Sequence, residues 1–235
     1  MKTFKILGLL LSYPKAEILP HLDDLMAVLA QEKLLPARQI KKVKVFVDDM
    51  KVRDIYETQE NYVEIFDRGR AHCLHLFEHI HGESRDRGQA MVDLAEAYGQ
   101  KGFYVTAGEL PDYLPLFLEF LSLCPLDEAM DFLGDPITVI AAIGVKLKKR
   151  KSPYAVLFTA LEVLSRVKPD QDMIAQVQME PLEEMSLEEI DKDWEEASAF
   201  DNSDVGGGDC NTCDAFPNAT AELQNIIGGE KDARN

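Results

Sequence analysis

The sequence predicts an all-α fold, a single-domain helical bundle followed by an acidic C-terminal tail. Apolar residues recur at three- and four-residue spacing through most of the chain, whereas the alternation typical of strands is scarce. Prolines and small polar residues divide these periodic segments at short intervals, as helix starts and stops do. The 235 residues, 46% of them hydrophobic, can form one domain with a sizeable core.

The first part of the chain contains four segments with apolar residues on one helical face. In the first, the apolar run Ile6–Leu11 is too short for a signal peptide and no small-residue cleavage site follows. It therefore predicts a core helix that ends at Tyr13-Pro14. The next three expected helices, with their inward-facing residues, are about 16–32 (Leu22, Leu25, Met26, Leu29), one opened by Pro36 (Ile40, Val43, Phe46, Val47) and one from about Arg53 (Ile55, Tyr62, Ile65, Phe66).

Caps and prolines define the later helices. Ser84 is the expected N-cap of a helix that runs to about Gln100. Three more helices are expected between prolines, the last of them ending near Val167. The helix after Ser84 is supported by Met91, Leu94, Ala95 and Tyr98. The three that follow it are supported in turn by Pro111, Leu114, Pro115, Phe117, Leu118, Leu121 and Pro125; by Asp135-Pro136 and "KLKKR"; and by Ser152-Pro153.

Acidic residues are concentrated at the C-terminal end. The chain has a formal net charge of −17, of which −12 falls between Pro181 and Asn235. This balance excludes a nucleic-acid interface built on a basic face and favours a basic partner. We expect the helical domain over 1–168, an acidic segment over 169–200 with one amphipathic helix (Leu187, Ile190, Trp194, Ala197), and a flexible tail over 201–235.

The four cysteines and the hydropathy predict a soluble protein of a reducing compartment. Cys73, Cys124, Cys210 and Cys213 form no dense framework of spaced pairs. A single Cys-x-x-Cys in a glycine-rich tail indicates two exposed thiols rather than a zinc or redox site. No apolar stretch approaches the roughly 20 residues that span a bilayer.

Four of the five histidines lie between Phe66 and Leu94, which raises the possibility of a metal site. His75, Glu78 and His79 form the H-x-x-E-H pattern of one class of zinc hydrolase, and on a continuous helix His72 would share their face. A catalytic zinc also requires a third protein ligand, which the spacing does not identify. We therefore favour polar positions on a packed helix and keep a zinc-dependent hydrolase as the alternative.

The same stretch alternates carboxylates and guanidinium groups around apolar residues. Such pairs can tie helix ends together, and the carboxylates can equally line a groove for a basic amphipathic peptide. The sequence does not separate residues that contact a partner from residues that brace the fold.

Several blocks resemble the NarJ family of assembly chaperones for the molybdenum-containing respiratory nitrate reductase, within the wider TorD-like group. The blocks are "FDRGR", "LFEHIHGESRDRGQAMVDL", "ELPDYLPLFLEFL", "LLLSYP" and "DPITVIAAIGVKLKKRKSPYAVLF". The resemblance runs from about residue 4 to 200. His72, Cys73 and His75 depart from the family pattern, which further weakens the zinc hypothesis. A direct molybdenum-cofactor carrier that uses Cys73 or Cys124 is a third option that the sequence does not require.

The resemblance implies a TorD/NarJ-like all-helical fold and a cytoplasmic chaperone that is not an enzyme and needs no cofactor or metal. Its expected partner is the apo catalytic subunit of respiratory nitrate reductase, held through an N-terminal, leader-like basic amphipathic peptide while the molybdenum cofactor is inserted, before membrane anchoring. The chaperone is expected to be a monomer or weak dimer, absent from the final enzyme, without nucleic-acid binding or membrane insertion. The candidate client-binding residues are Asp67, Arg68, Arg70, Glu78, His79, His81, Glu83, Asp86, Arg87, Glu109, Asp112 and Tyr113.

Overall fold

A computed structural model describes residues 1–68, 70–81, 85–105 and 108–181, with only the backbone described at Arg85. These residues form α-helices, two 3-10 helices (Ala16–His21 and Arg70–His72) and no β-strand, which confirms the all-α prediction. None of the described helices is both long enough and apolar enough to cross a membrane. The α-helices are α1 (Lys2–Leu11), α2 (Leu22–Glu32), α3 (Ala37–Val52), α4 (Ile55–Phe66), α5 (Leu76–His81), α6 (Arg85–Gln100), α7 (Leu114–Leu123), α8 (Leu126–Gly134), α9 (Ile137–Lys149), α10 (Ala155–Leu164) and α11 (Gln171–Met179).

The pair formed by α1 and α7 lies at the centre of the core. Phe4 and Leu7 of α1 and Leu118 of α7 are fully buried. The helices approach so closely that a Cβ atom at Gly8 would lie 2.9 Å from the carbonyl oxygen of Pro115. Glycine is therefore required at position 8, because any side chain would force the two central helices apart.

A second close pair joins α9 to α10. A Cβ atom at Gly144 would lie 2.9 Å from the Cβ atom of Phe158. Tyr154, just before α10, packs its buried ring against Phe46 and Phe66, each with a centroid separation of 5.0 Å. This edge-on aromatic packing links α3 and α4 to α10.

Two helices were not predicted from the sequence. Pro125 was interpreted only as the end of α7, but it is also the N-cap of α8. The last described helix, α11, begins where the Asp170 carboxylate accepts hydrogen bonds from the backbone N–H groups of Asp172 and Met173. Only two of its residues are buried, so its apolar signal is weak.

Three local expectations were wrong. The predicted helix over 16–32 begins with a 3-10 segment, and α2 starts only at Leu22, because Pro20 lacks the N–H group that a continuous helix would use. Ala95 is exposed although Tyr98 on the same helix is fully buried. The helix α10 ends at Leu164 rather than near Val167. The structure does not describe Ser84, the segment expected to form an acidic helix around Trp194, or the tail. The domain boundaries therefore stay a prediction.

The N-terminus of α1 is capped by a carboxylate from α2. Glu32 accepts hydrogen bonds from the backbone N–H groups of Lys2 and Thr3, at 2.8 and 2.7 Å, and from the Thr3 hydroxyl at 2.7 Å. Burial raises the pKa of Glu32, but these hydrogen bonds outweigh burial, so its pKa lies below the ordinary value of 4.5. The ionised carboxylate therefore stabilises the attachment of α1 to α2.

We expect Glu32→Gln to lower the free energy of unfolding at pH 7 by about 1 kcal/mol. Because the folded-state pKa is depressed, the stabilisation by Glu32 is present above the unfolded pKa and is lost as the pH falls through the folded pKa. The difference between wild type and variant should therefore shrink below about pH 4.5. Urea denaturation at pH 7 and in acid measures both effects, and an equal difference at both pH values would contradict the assignment.

Candidate functional site

Two loops that are distant in sequence are joined by backbone hydrogen bonds at the start of α5 and α7. The N–H group of Leu76 donates to the carbonyl oxygen of Asp112 at 3.1 Å, and that of Leu114 donates to Leu74 at 2.8 Å. His75 and Tyr113 face each other in an isolated antiparallel bridge. The residues on both loops therefore have fixed relative positions.

Asp112 is fully buried between these loops. Its carboxylate accepts a hydrogen bond from the backbone N–H of Phe77 at 3.0 Å and one from Nδ1 of His75 at 3.2 Å. Nearby, the Tyr98 hydroxyl donates to the carbonyl oxygen of Pro111 at 2.7 Å. Asp112 was among the candidate client-binding residues. Its complete burial means that it braces the site from inside and does not line an exposed surface.

Glu78 lies at the centre of a second bracing cluster. Its side chain is 24% exposed, it accepts a hydrogen bond from the Cys73 thiol at 3.3 Å, and it lies 3.9 Å from a guanidinium nitrogen of both Arg70 and Arg87. Two of the predicted site arginines therefore contact the same carboxylate. Ion pairs of this length contribute little energy individually, but together they orient the start of α6 relative to α5.

The histidines do not form the predicted metal-binding face. His72 lies in a 3-10 helix and His75 in the bridge before α5, so the spacing of one helical turn does not apply to them. Nε2 of His79 lies 2.8 Å from the carbonyl oxygen of Cys73, and because a carbonyl only accepts, this nitrogen donates. Within the described ranges, no group of three His, Cys, Asp or Glu side chains is arranged to hold a metal ion.

The two described thiols are not poised as metal ligands either. Burial raises the pKa of Cys73 to about 12, with the nearby Glu78 and Asp112 charges acting in the same direction. Burial also raises the pKa of Cys124. Because a metal binds the thiolate form, a protonated thiol at neutral pH is a poor ligand.

The remaining candidate residues lie closer to solvent. Arg68, Asp86 and Glu109 are exposed, and His81 is half-buried with its ring packed edge-on against Phe77 at 5.6 Å. Glu83 lies outside the part of the chain that the structure describes. The predicted residues therefore divide into an internal bracing set and an exposed set.

A row of aromatic rings forms the surface between the bracing clusters and solvent. Tyr13 packs edge-on against Tyr62 at 5.6 Å, the hydroxyls of Tyr62 and Tyr113 are 3.2 Å apart, and the Tyr113 ring lies 5.4 Å from His75. Tyr13 is 43% exposed, whereas Tyr62 is buried beneath its neighbours. We call Tyr13, Tyr62, Tyr113 and His75 the aromatic row. Only Tyr113 was among the predicted site residues, because no spacing rule relates positions so far apart in sequence.

Two exposed carboxylates, Asp67 and Glu109, lie close enough to Tyr113 to act on it electrostatically. Burial raises the pKa of Tyr113, and the negative charges of Glu109 and Asp67 raise it further, which indicates that both carboxylates act on its hydroxyl. Partial burial also raises the pKa of Asp67, against a lowering by His75. The arrangement offers apolar ring surface with negative charge near Tyr113, which suits a ligand that is both apolar and cationic.

We expect Asp112→Asn to destabilise the fold by roughly 2 kcal/mol, because a buried charge-assisted hydrogen-bond centre is lost and an amide NH2 group must be accommodated. Thermal or urea unfolding measures the effect. Glu109→Gln is the matched control, since it neutralises an exposed carboxylate three residues away and should leave stability nearly unchanged. Equal effects of the two substitutions would contradict the bracing role of Asp112.

Comparison with known proteins identifies the family. The nitrate reductase delta subunit family matches residues 32–160. The chain is 40% identical over 204 residues to the nitrate reductase molybdenum cofactor assembly chaperone NarJ of Escherichia coli K12, covering 87% of this chain and 86% of that protein. It is 37% identical over 197 residues to the probable chaperone NarW of the same strain (83% and 82% covered), and 34% identical over 165 residues to the probable chaperone NarJ of Bacillus subtilis 168 (68% and 88%). The chain therefore belongs to the nitrate reductase delta subunit family, the NarJ family that its motifs resemble.

Proposed function

We propose that this protein is a cytoplasmic assembly chaperone for respiratory nitrate reductase. It binds the apo catalytic subunit through a basic amphipathic peptide at that subunit's N-terminus and promotes molybdenum cofactor insertion before the subunit meets its membrane anchor. The observation that carries the proposal is the aromatic row with Asp67 and Glu109 beside it. The names of the curated relatives, which are chaperones of this assembly and not enzymes, support the same role.

The chemistry of the site suits one face of a helical or extended peptide. The apolar side chains of the peptide lie on the rings of Tyr13 and Tyr113, and its lysines or arginines face Asp67 and Glu109. Tyrosine rings lose little conformational entropy on binding, because they have few rotatable bonds and are already packed. The hydroxyl contact between Tyr62 and Tyr113 keeps the row in place before the peptide arrives.

The two bracing clusters, centred on Asp112 and Glu78, keep the site in shape but do not occupy it. Asp112 fixes the loop that carries Tyr113, and Glu78 fixes the segment that follows Asp67. Their charges are already engaged by protein groups. We therefore assign contact with the partner to the exposed carboxylates, Asp67 and Glu109. Asp112 and Glu78, which already contact protein groups, orient the loops.

A small, partly polar site suits transient binding. A chaperone must release its client once the cofactor is in place, so its affinity is modest and its association fast. Carboxylates at the rim of the site accelerate encounter with a basic peptide, and the net charge of −17 adds to this attraction.

We expect the purified protein to bind a synthetic peptide with the N-terminal sequence of the catalytic subunit, and to bind it more weakly as salt is raised. Glu109→Lys should weaken binding by roughly tenfold or more, because an attraction becomes a repulsion, and Asp67→Lys should behave similarly. Fluorescence anisotropy of a labelled peptide measures both effects.

Glu96→Lys is the matched control for this experiment. Glu96 is an exposed glutamate of α6, and it is not among the groups that shift the pKa of Tyr113 or Asp67. Its reversal should reduce affinity only through net charge. Equal losses for Glu96→Lys and Glu109→Lys, or no binding at low salt, would refute the proposed peptide site.

The role in assembly is tested in cells deprived of molybdenum. We expect the tagged chaperone to retain the catalytic subunit there and to retain less of it once molybdate is restored, because the chaperone leaves the mature enzyme. Quantitative pull-down of the subunit measures the difference. Equal recovery under the two conditions would contradict a role confined to the apo subunit.

A further inference from the structure

A small basic pocket lies where the 3-10 helix Arg70–His72 meets α9 and the end of α11. Its lining includes His72, Lys146, Lys149, Arg150 and Glu180. Three cations and one carboxylate make this pocket locally positive in a chain whose net charge is −17. None of these residues belongs to the proposed peptide site, so the pocket requires an explanation of its own.

His72 is buried in the wall of this pocket. The residue is 5% exposed, and its Nε2 atom, which is closed to solvent, has no hydrogen-bond partner among the described residues. Buried polar atoms are nearly always paired, and an unpaired one typically costs about 1–3 kcal/mol. Burial is the main cause that lowers the pKa of His72, to about 4. The positive charges of Arg150 and Lys146, and His79, act in the same direction. The ring is therefore neutral in a positive surrounding.

The cations of the pocket are incompletely neutralised. Lys146 is half-buried, and its side-chain ammonium group has neither an ion pair nor a hydrogen bond with any described residue. The guanidinium of Arg150 is 3.8 Å from Glu64, a long pair between two accessible side chains. Lys149 is held by the carbonyl oxygens of Val177 and Glu180, at 2.6 and 2.7 Å, which fixes its ammonium group without cancelling its charge.

We propose that this pocket binds a small oxyanion, either a phosphate group or a carboxylate. Lys146 and Arg150 supply opposing charge, and Lys149 adds a fixed positive charge. Charge-assisted hydrogen bonds from such groups are the strong ones, and Arg is suited to the planar or tetrahedral arrangement of oxyanion oxygens. Such a ligand would compensate the charge of the half-buried Lys146 ammonium group.

Two sources could supply this chemistry. One is a free, phosphate-bearing small molecule. The other is the chain itself, because Glu183 and Glu184 follow Pro181, which also lines the pocket. A tethered carboxylate has a high effective concentration, so it would compete with free phosphate.

Titration of the full-length chain with inorganic phosphate at low ionic strength tests the proposal. We expect saturable binding by calorimetry, weakened roughly tenfold in Lys146→Gln and in Arg150→Gln. Lys148→Gln is the matched control, since Lys148 is an exposed lysine of the same helix that pairs with Glu162 at 3.6 Å. Its phosphate affinity should stay close to that of the wild type.

The double variant Glu183→Gln with Glu184→Gln separates the two sources. Tighter phosphate binding than in the wild type would support competition by the chain's own carboxylates, and unchanged binding would support a free ligand. The proposal is overturned if neither background binds phosphate saturably. It is also overturned if Lys146→Gln and Lys148→Gln lose affinity equally.

Discussion

The buried carboxylate of Asp112 is the contact on which the geometry of the site depends. One carboxylate oxygen accepts from the start of α5 and the other from His75. The main-chain carbonyl of Asp112 accepts from Leu76, and the N–H group of Leu114 donates to Leu74. The next residues enter α7, which packs against α1 in the core. The aromatic row is therefore attached to the most deeply buried helices rather than to free loops.

The sequence predicted those helices whose apolar face and boundaries are local. Pro36 and the spacing of Val43, Phe46 and Val47 were enough for α3, because helix periodicity and a fixed φ act within a few residues. By contrast, α11 buries only Ile174 and Val177, so its formation depends on packing against α9 and on the Asp170 cap. Packing against a distant helix leaves little trace in local spacing.

The site itself was predicted in part. The matched motifs indicated the right segments, but they did not distinguish Asp112, which is buried, from Glu109, which is exposed three residues earlier. That difference depends on the backbone N–H of Phe77, a partner 35 residues away. Tyr13 and Tyr62 were missed as site residues for the same reason, since their contact joins segments that only the folded chain brings together.

The close approach at Gly8 has a consequence for how the chain is made. Helix α1 is synthesised before α7, and its tightest partner, at Pro115, follows roughly 100 residues later. At ordinary rates of translation, this leaves an apolar helix without its partner for on the order of 10 seconds. Folding of the central pair must close a long loop, so the nascent protein passes through a period in which the apolar face of α1 is open to aggregation.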